Sequence, residues 1–235
     1  MRSVILLCLL GLSAFAHEYY AKIEPAQSYV IKAAVNAEVV YTNEAIEGQT
    51  ANNSLIIELD SKVDKVDLEQ TKNKLALFEK MIEIEQNNYE RLKKVTTRSD
   101  FDKDSQLLKS INLQSTKADL LIKIAQLQSN IAHKKLFENN RYIYSINVKK
   151  GDWVNAGTLL YEAKDLSQGK LEIFVPISEA SLVLEKQIYL NSEPTNLKID
   201  KMYKVADAKN ISAYKVEIML PKPKEFSSLV KIEFK

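Results

Sequence analysis

The sequence predicts an α+β chain in which a long antiparallel coiled-coil hairpin interrupts a small β domain, with more strands after it. Three observations predict this. No glycine falls between Gly48 and Gly151 and no proline between Pro25 and Pro176, so the strongest helix breakers are missing from the centre of the chain. That centre carries apolar residues spaced alternately by three and four. The segments on either side instead alternate in twos and turn at Gly48, Gly151 and Gly157, the pattern of short strands.

With 235 residues the chain suits one or two modest domains. It is 27% charged, and 33 Lys plus Arg balance 31 Asp plus Glu to a formal +2. Interspersed signs leave no basic patch for a nucleic acid. Two histidines and one cysteine make a catalytic or metal centre improbable. The first 16 residues, MRSVILLCLLGLSAFA, combine an early Arg2, an apolar run Val4 to Leu12 and the small residues Ala14 and Ala16. This is the pattern of a secretory signal peptide cleaved before His17, and the run is too short to span a bilayer. Cys8 follows Leu7, which argues against lipidation, and the mature chain then has no cysteine and no disulfide.

The first helix is expected from Ser61 to about Val95, with Ser61 and Asp64 as a capping pair and Arg91, Lys93 and Lys94 near its C-terminus. Its seam is Leu68, Thr71, Leu75, Phe78, Ile82, Glu85, Tyr89 and Leu92, apolar except for Thr71 and Glu85. The second helix is expected from Asp100 to Glu138, capped by Ser99 with Asp102 and ended by Asn139-Asn140. Its expected seam is Leu108, Ile111, Ser115, Ala118, Ile122, Ala125, Ser129, Ala132 and Leu136. At about 1.5 Å per residue each helix is about 50 Å long, which implies reach.

The flanks share one plan. Before the helices, Tyr29–Val35 and Glu38–Tyr41 lead through Gly48 to Leu55–Asp60. After them, Tyr142–Val148 leads through Gly151 and Gly157 to Leu159–Ala163, so the two flanks predict two halves of one quasi-symmetric β-sandwich. Beyond Gly169, alternation at Leu171, Ile173 and Val175, at Tyr203 and Val205, at Tyr214 to Leu220 and at Leu229 to Phe234 predicts a small β-barrel.

The run Val148-Lys-Lys-Gly-Asp-Trp-Val-Asn-Ala-Gly-Thr-Leu-Leu-Tyr161, followed by Lys170 to Pro176, resembles the lipoyl-like half-motif of the periplasmic adaptors, or membrane fusion proteins, of the haemolysin-D-like, RND-type efflux kind. The resemblance implies a split lipoyl-like domain with an inserted helical hairpin and then a barrel. The expected parts are a signal peptide (1–16), a first lipoyl-like half with an N-terminal strand (17–60), the hairpin (61–138), a second half (139–168) and the β-barrel (169–235). It also implies a non-catalytic subunit without cofactor. Such a subunit forms a homo-oligomeric ring in the periplasm at the inner membrane of a Gram-negative bacterium, bridging an inner-membrane pump and an outer-membrane channel. Adaptors that dock on such channels carry the pattern R-x3-L-x6-S at the hairpin tip. The matching positions here are Asn88, Leu92 and Ser99, with Asn88 in place of the arginine and with Arg91 and Arg98 close by.

Other candidates carry less. Lys149 and Lys150 are expected to be solvated turn residues, since the helices occupy the place of a modified carrier lysine. His17 and His133 with Met81, Met202 and Met219 form no cluster in sequence, so no metal is expected. Tyr142 and Tyr144 are expected to pack on the β domain. The alternative function is a self-associating coiled-coil scaffold of the envelope.

Overall fold

The computed structural model describes residues 18–206 and 208–235; the expected signal peptide and His17 lie outside them. Strands β1 (Glu18–Lys22), β2 (Glu24–Lys32), β3 (Ala37–Thr42) and β4 (Ser54–Leu59) precede two long helices, α1 (Lys62–Lys93) and α2 (Asp100–His133). Then come β5 (Lys135–Glu138), β6 (Tyr142–Ile146), β7 (Trp153–Val154), β8 (Leu159–Pro176) and a short helix α3 (Ala180–Val183). The chain finishes with β9 (Ile188–Leu190), β10 (Glu193–Pro194), β11 (Ile199–Met202), β12 (Ala213–Pro221) and β13 (Leu229–Phe234). It divides into two compact units, one of Tyr29–Ala163 and one of residues 18–28 with Lys164–Lys235.

In the unit Tyr29–Ala163 an antiparallel sheet has the order β5-β4-β3-β7. Val39, Ile56, Ile57, Leu59, Ile143 and Leu160 are fully buried beneath it, as the apolar runs on both flanks require. Main-chain hydrogen bonds join the flanks: the Ala33 amide donates to the Thr158 carbonyl and the Gly157 amide to the Ala33 carbonyl, both at 2.8 Å. The Gly151 amide donates to the Val39 carbonyl, also at 2.8 Å. Gly151 (φ +95°) and Gly157 (φ +90°) hold the left-handed conformations that these turns need. On the other flank, where glycine is missing, the Asn36 side chain accepts from the Ala156 amide at 2.8 Å. Tyr142 is half-buried, but Tyr144 is 53% exposed and does not pack as expected.

The two helices run antiparallel, as cross-helix pairs show. Lys117 meets Glu79 at 2.9 Å, Gln106 bonds Glu85, and Lys134, just past α2, bonds Asp64. The expected seam of α1 is the one observed, with Leu68, Leu75, Phe78, Glu85, Tyr89 and Leu92 half-buried and Ile82 buried. The expected seam of α2 is not. Leu108, Ile111 and Ile122 are about half exposed, and Ser115, Ala118, Ala125, Ser129 and Ala132 are exposed as well. The face turned to α1 is instead Gln106, Ser110, Leu113, Lys117, Leu120, Ile124, Leu127 and Ile131, ending at Lys134. Gln106, Lys117 and Lys134 find partners across the helices and Ser110 accepts from Gln114 of its own helix, so polarity did not keep this face outside.

Two boundaries also differ. Helix α2 stops at His133, because Lys135–Glu138 adds to the edge of β4, with Glu58 opposite Lys135 and Ser54 opposite Glu138. Ser61 does not cap α1 with its side chain; the Asp60 carboxylate accepts from the Lys62 amide at 2.9 Å, and Asp64 is engaged by Lys134.

In the unit of residues 18–28 and Lys164–Lys235, β1 pairs with β13, which pairs with β9, and β9 with β10. A second set pairs β12 with β8 along Gln168–Pro176 and with β11 on its other side. The alternation holds for Leu171, Ile173, Val175, Val216, Ile218, Val230, Ile232 and Phe234, all buried. It fails for Tyr203 and Val205, which follow the end of β11; Val205 is 84% exposed. The buried Glu217 accepts from Lys215 Nζ at 3.0 Å and from the Tyr203 hydroxyl at 3.2 Å.

Removing the Leu160 side chain leaves a cavity that flanking main chain cannot fill. Leu160→Ala is expected to lower the stability of this unit by about 2–5 kcal/mol, read as an earlier midpoint in urea for the helical circular-dichroism signal. An unchanged midpoint would contradict the buried position. In the other unit, burial pushes the Glu217 carboxyl up, but its bonds from Lys215 and Tyr203 outweigh this and hold it below its ordinary 4.5. The stability it contributes is present above that value and is lost as pH falls below it. Glu217→Gln is expected to flatten the acid decline of thermal stability; an identical decline in both proteins would refute the assignment.

Candidate docking site at the turn between the long helices

Helix α1 ends in a turn whose amides stay bonded: Val95 donates to the Leu92 carbonyl at 3.0 Å and Lys94 to the Arg91 carbonyl at 3.3 Å. Helix α2 then begins at an extended Ser99 (φ −67°, ψ 152°), whose hydroxyl accepts from the Asp102 amide at 3.2 Å. The expected cap is therefore present, with Asp100 and Asp102 in the positive end of the helix dipole.

The three expected site residues all lie at this end of the helix pair, in different surroundings. Leu92 is half-buried on the α1 face that packs on α2, so its side chain belongs to the seam. Ser99 is exposed but its hydroxyl is engaged in the cap. Asn88 sits in a polar chain: its amide donates to Glu85 at 3.5 Å and its carbonyl accepts from Arg91 Nη2 at 2.6 Å, while Glu85 also accepts from Gln106 of α2. Arg91 thus presents its charge one helical turn from Asn88, tethered to it. Arg98 lies 3.9 Å from Asp102.

Sequence reasoning missed the apolar members of this end. Phe101, in the first turn of α2, is 81% exposed, and Val95 in the turn is 41% exposed. The available signal was a large aromatic placed between Asp100 and Asp102, where neither seam nor cap needs it. The charges also divide: Arg91, Lys93, Lys94 and Arg98 precede the cap, and Asp100, Asp102 and Asp104 follow it.

The other chemistry-bearing groups are structural. Tyr161 donates to the buried Glu138 at 3.0 Å, Arg141 bonds the same carboxylate at 3.1 Å, and the Arg141 guanidinium lies 3.8 Å from the centre of the Tyr29 ring. Burial, then the Glu138 charge, pushes the Tyr161 phenol far up, so it stays a neutral donor. Lys149 and Lys150 are exposed in the turn that Asp152 closes onto the Lys149 amide at 2.7 Å. His133 is exposed, and no group of three or more His, Cys, Asp or Glu suited to a metal occurs among the described residues.

Because the Ser99 hydroxyl replaces a missing helix partner, Ser99→Ala is expected to cost about 1 kcal/mol of stability and Ser99→Asp to restore it. Thermal unfolding of both variants checks this; equal losses would show that the cap contributes nothing.

The sequence matches no protein-family model and no curated protein. Among solved structures, MacA from Actinobacillus actinomycetemcomitans superimposes with a TM-score of 0.71 at 15% identity, over 94% of this chain and 78% of that one. The membrane fusion protein Spr0693 from Streptococcus pneumoniae superimposes with a TM-score of 0.70 at 10% identity, over 93% of this chain and 98% of that one. A putative efflux transporter from Bacteroides eggerthii gives 0.61 at 12% identity, over 93% and 68%. With strands on both sides of the long helices included in these matches, the chain has the fold of the membrane fusion proteins of efflux systems.

Proposed function

We propose that this chain is the periplasmic adaptor of a tripartite efflux system, a non-catalytic subunit that bridges an inner-membrane pump and an outer-membrane channel. The observation that carries the reading is the likeness to a membrane fusion protein over 93% of the chain, long helices included. In this reading the β strands of residues 29–60 and 135–163 make the split lipoyl-like domain, and those of residues 18–28 and 164–235 a small β-barrel. The helix pair is the coiled-coil hairpin, copies assemble into a ring, and the signal peptide delivers the chain to the periplasmic face of the inner membrane. No helix among the described residues is long and apolar enough to cross a membrane.

The hairpin tip is the proposed channel contact, through the surface around Asn88, Leu92 and Ser99. Leu92 and the Ser99 hydroxyl already have structural tasks, so they shape the tip, and Arg91 supplies the charge that Asn88 lacks. The energy of transport comes from the pump; the adaptor contributes geometry.

The test uses Ser99→Cys in a chain whose Cys8 is replaced by serine, cross-linked in intact cells, with Lys72→Cys on the side of α1 as control. The expected product is a tip-specific adduct that mass spectrometry identifies as an outer-membrane channel. If both positions capture the same proteins, or Ser99→Cys yields only copies of itself, channel docking fails and the self-associating scaffold is the better account.

A further inference from the structure

The strand set that ends at β10 and the set that begins at β11 are joined by residues 195–198, which belong to no strand. Hydrogen bonds pin this crossover to the start of β9. The Thr195 hydroxyl and amide both donate to the Ile188 carbonyl, at 2.7 and 2.9 Å. The Gln187 side-chain amide donates to the Thr195 carbonyl and the Leu197 amide to the Thr195 hydroxyl oxygen, both at 3.3 Å. The crossover is thereby a fixed wall, and a ligand that meets it has little ordering to impose.

Between this wall and the turn from α3 to β9 lies a cavity of about 560 Å³, open to solvent. Its size falls in the range of about 300–1,000 Å³ that small-molecule sites occupy. Val183 and Ile188, both buried, and Leu197 and Ile199, both half-buried, give it an apolar side. The exposed Lys186, Asn196 and Lys198 give it a polar rim.

Charge sets the class of ligand. Glu185 is the one carboxylate of the lining against Lys186 and Lys198, which leaves one positive charge in excess. No ion pair or hydrogen bond engages the side chains of Lys186, Lys198 or Asn196 among the described residues. The smaller cleft of the same unit, about 360 Å³, differs in this respect, because its Lys170 pairs with Glu172 and its Lys201 with Asp200, both at 3.9 Å. In the larger cavity the cations are unpaired, and a carboxylate brought to them gains charge-assisted hydrogen bonds. The Asn196 amide offers both a donor and an acceptor to neutral polar groups. The apolar side takes a short hydrocarbon segment out of water.

We propose that this cavity binds a small organic anion with a carboxylate and hydroxyl groups at its head and a short hydrocarbon tail, held by Lys186, Lys198 and Asn196 against Leu197 and Ile199. The proposal goes beyond the adaptor reading, which names only protein partners, and rests on the geometry of this unit alone.

The test titrates the full chain by calorimetry, below micelle-forming concentrations, with three probes. Octyl glucuronide has all three features, octyl glucoside lacks the carboxylate, and methyl glucuronide lacks the tail. Octyl glucuronide is expected to bind at least about tenfold more tightly than either of the others. Lys186→Gln combined with Lys198→Gln is expected to bring it to the level of the glucoside, with glucoside binding and the thermal midpoint unchanged, and the same two lysines changed to arginine are expected to keep the preference. Lys222→Gln combined with Lys224→Gln, outside the lining, is expected to change nothing. Amide NMR shifts on adding octyl glucuronide are expected at residues 183–188 and 195–199. Equal affinity for glucuronide and glucoside, no binding of any probe, shifts elsewhere, or the same loss from the Lys222 and Lys224 variant would each overturn the proposal. None of these outcomes touches channel docking, which the Ser99→Cys adduct judges separately.

Discussion

The join between β4 and β5 governs the rest of this structure. Helix α1 leaves directly from β4 and α2 returns directly into β5, and the two strands pair antiparallel. The Leu59 amide donates to the Lys134 carbonyl at 2.8 Å, and the Lys134 ammonium bonds Asp64 in the first turn of α1. Lys134 is 8% exposed, so removing Asp64 would leave its side chain buried without that partner, a costly arrangement. Fixing Lys134 fixes the rotation of the helix before it. The row that reads back from Lys134 through Ile131, Leu127, Ile124 and Leu120 must then face α1, whatever stands further along.

That constraint explains which parts of the fold were legible in the sequence. The face of α1 could be read directly, since one row holds Leu68, Leu75, Phe78 and Ile82 and its rival is interrupted by Gln70 and Asn73. Helix α2 offers two rows, and periodicity favours the one with fewer polar residues. The choice was made elsewhere, by strand pairing at its end, and no window along α2 contains that information. The same is true of Lys135–Glu138: its residues continue a helical pattern up to Asn139, and only the free edge of β4 turns them into a strand. The glycine turns were legible because Gly151 and Gly157 need a conformation that few other residues adopt.

At the candidate site the local chemistry was readable and the cross-helix chemistry was not. Ser99 with Asp102 is a capping signal contained in four residues, and the structure has it. The chain from Gln106 through Glu85 and Asn88 to Arg91 depends on which face α2 turns inward. With α2 in the expected phase, Gln106 would point away and Glu85 would keep Asn88 but lose its partner on α2. Arg91 is thereby fixed indirectly, through contacts whose phase is set at the far end of the helices.

The interior of the helix pair is sparse in what usually stabilises one. Ile82, Leu120 and Leu127 are its buried large side chains, joined by Ser110 at 2% exposure, while Lys117 and Gln106 occupy positions that apolar residues normally take. Small and polar residues at a seam set register and close approach at a cost in stability. Apolar surface of comparable extent lies on the outside, where in an isolated hairpin it gains nothing from leaving water. A chain selected only to fold would reverse this distribution. The inner seam supplies alignment through Gln106 with Glu85, Lys117 with Glu79 and Lys134 with Asp64, and the pairing of β4 with β5 supplies the anchor.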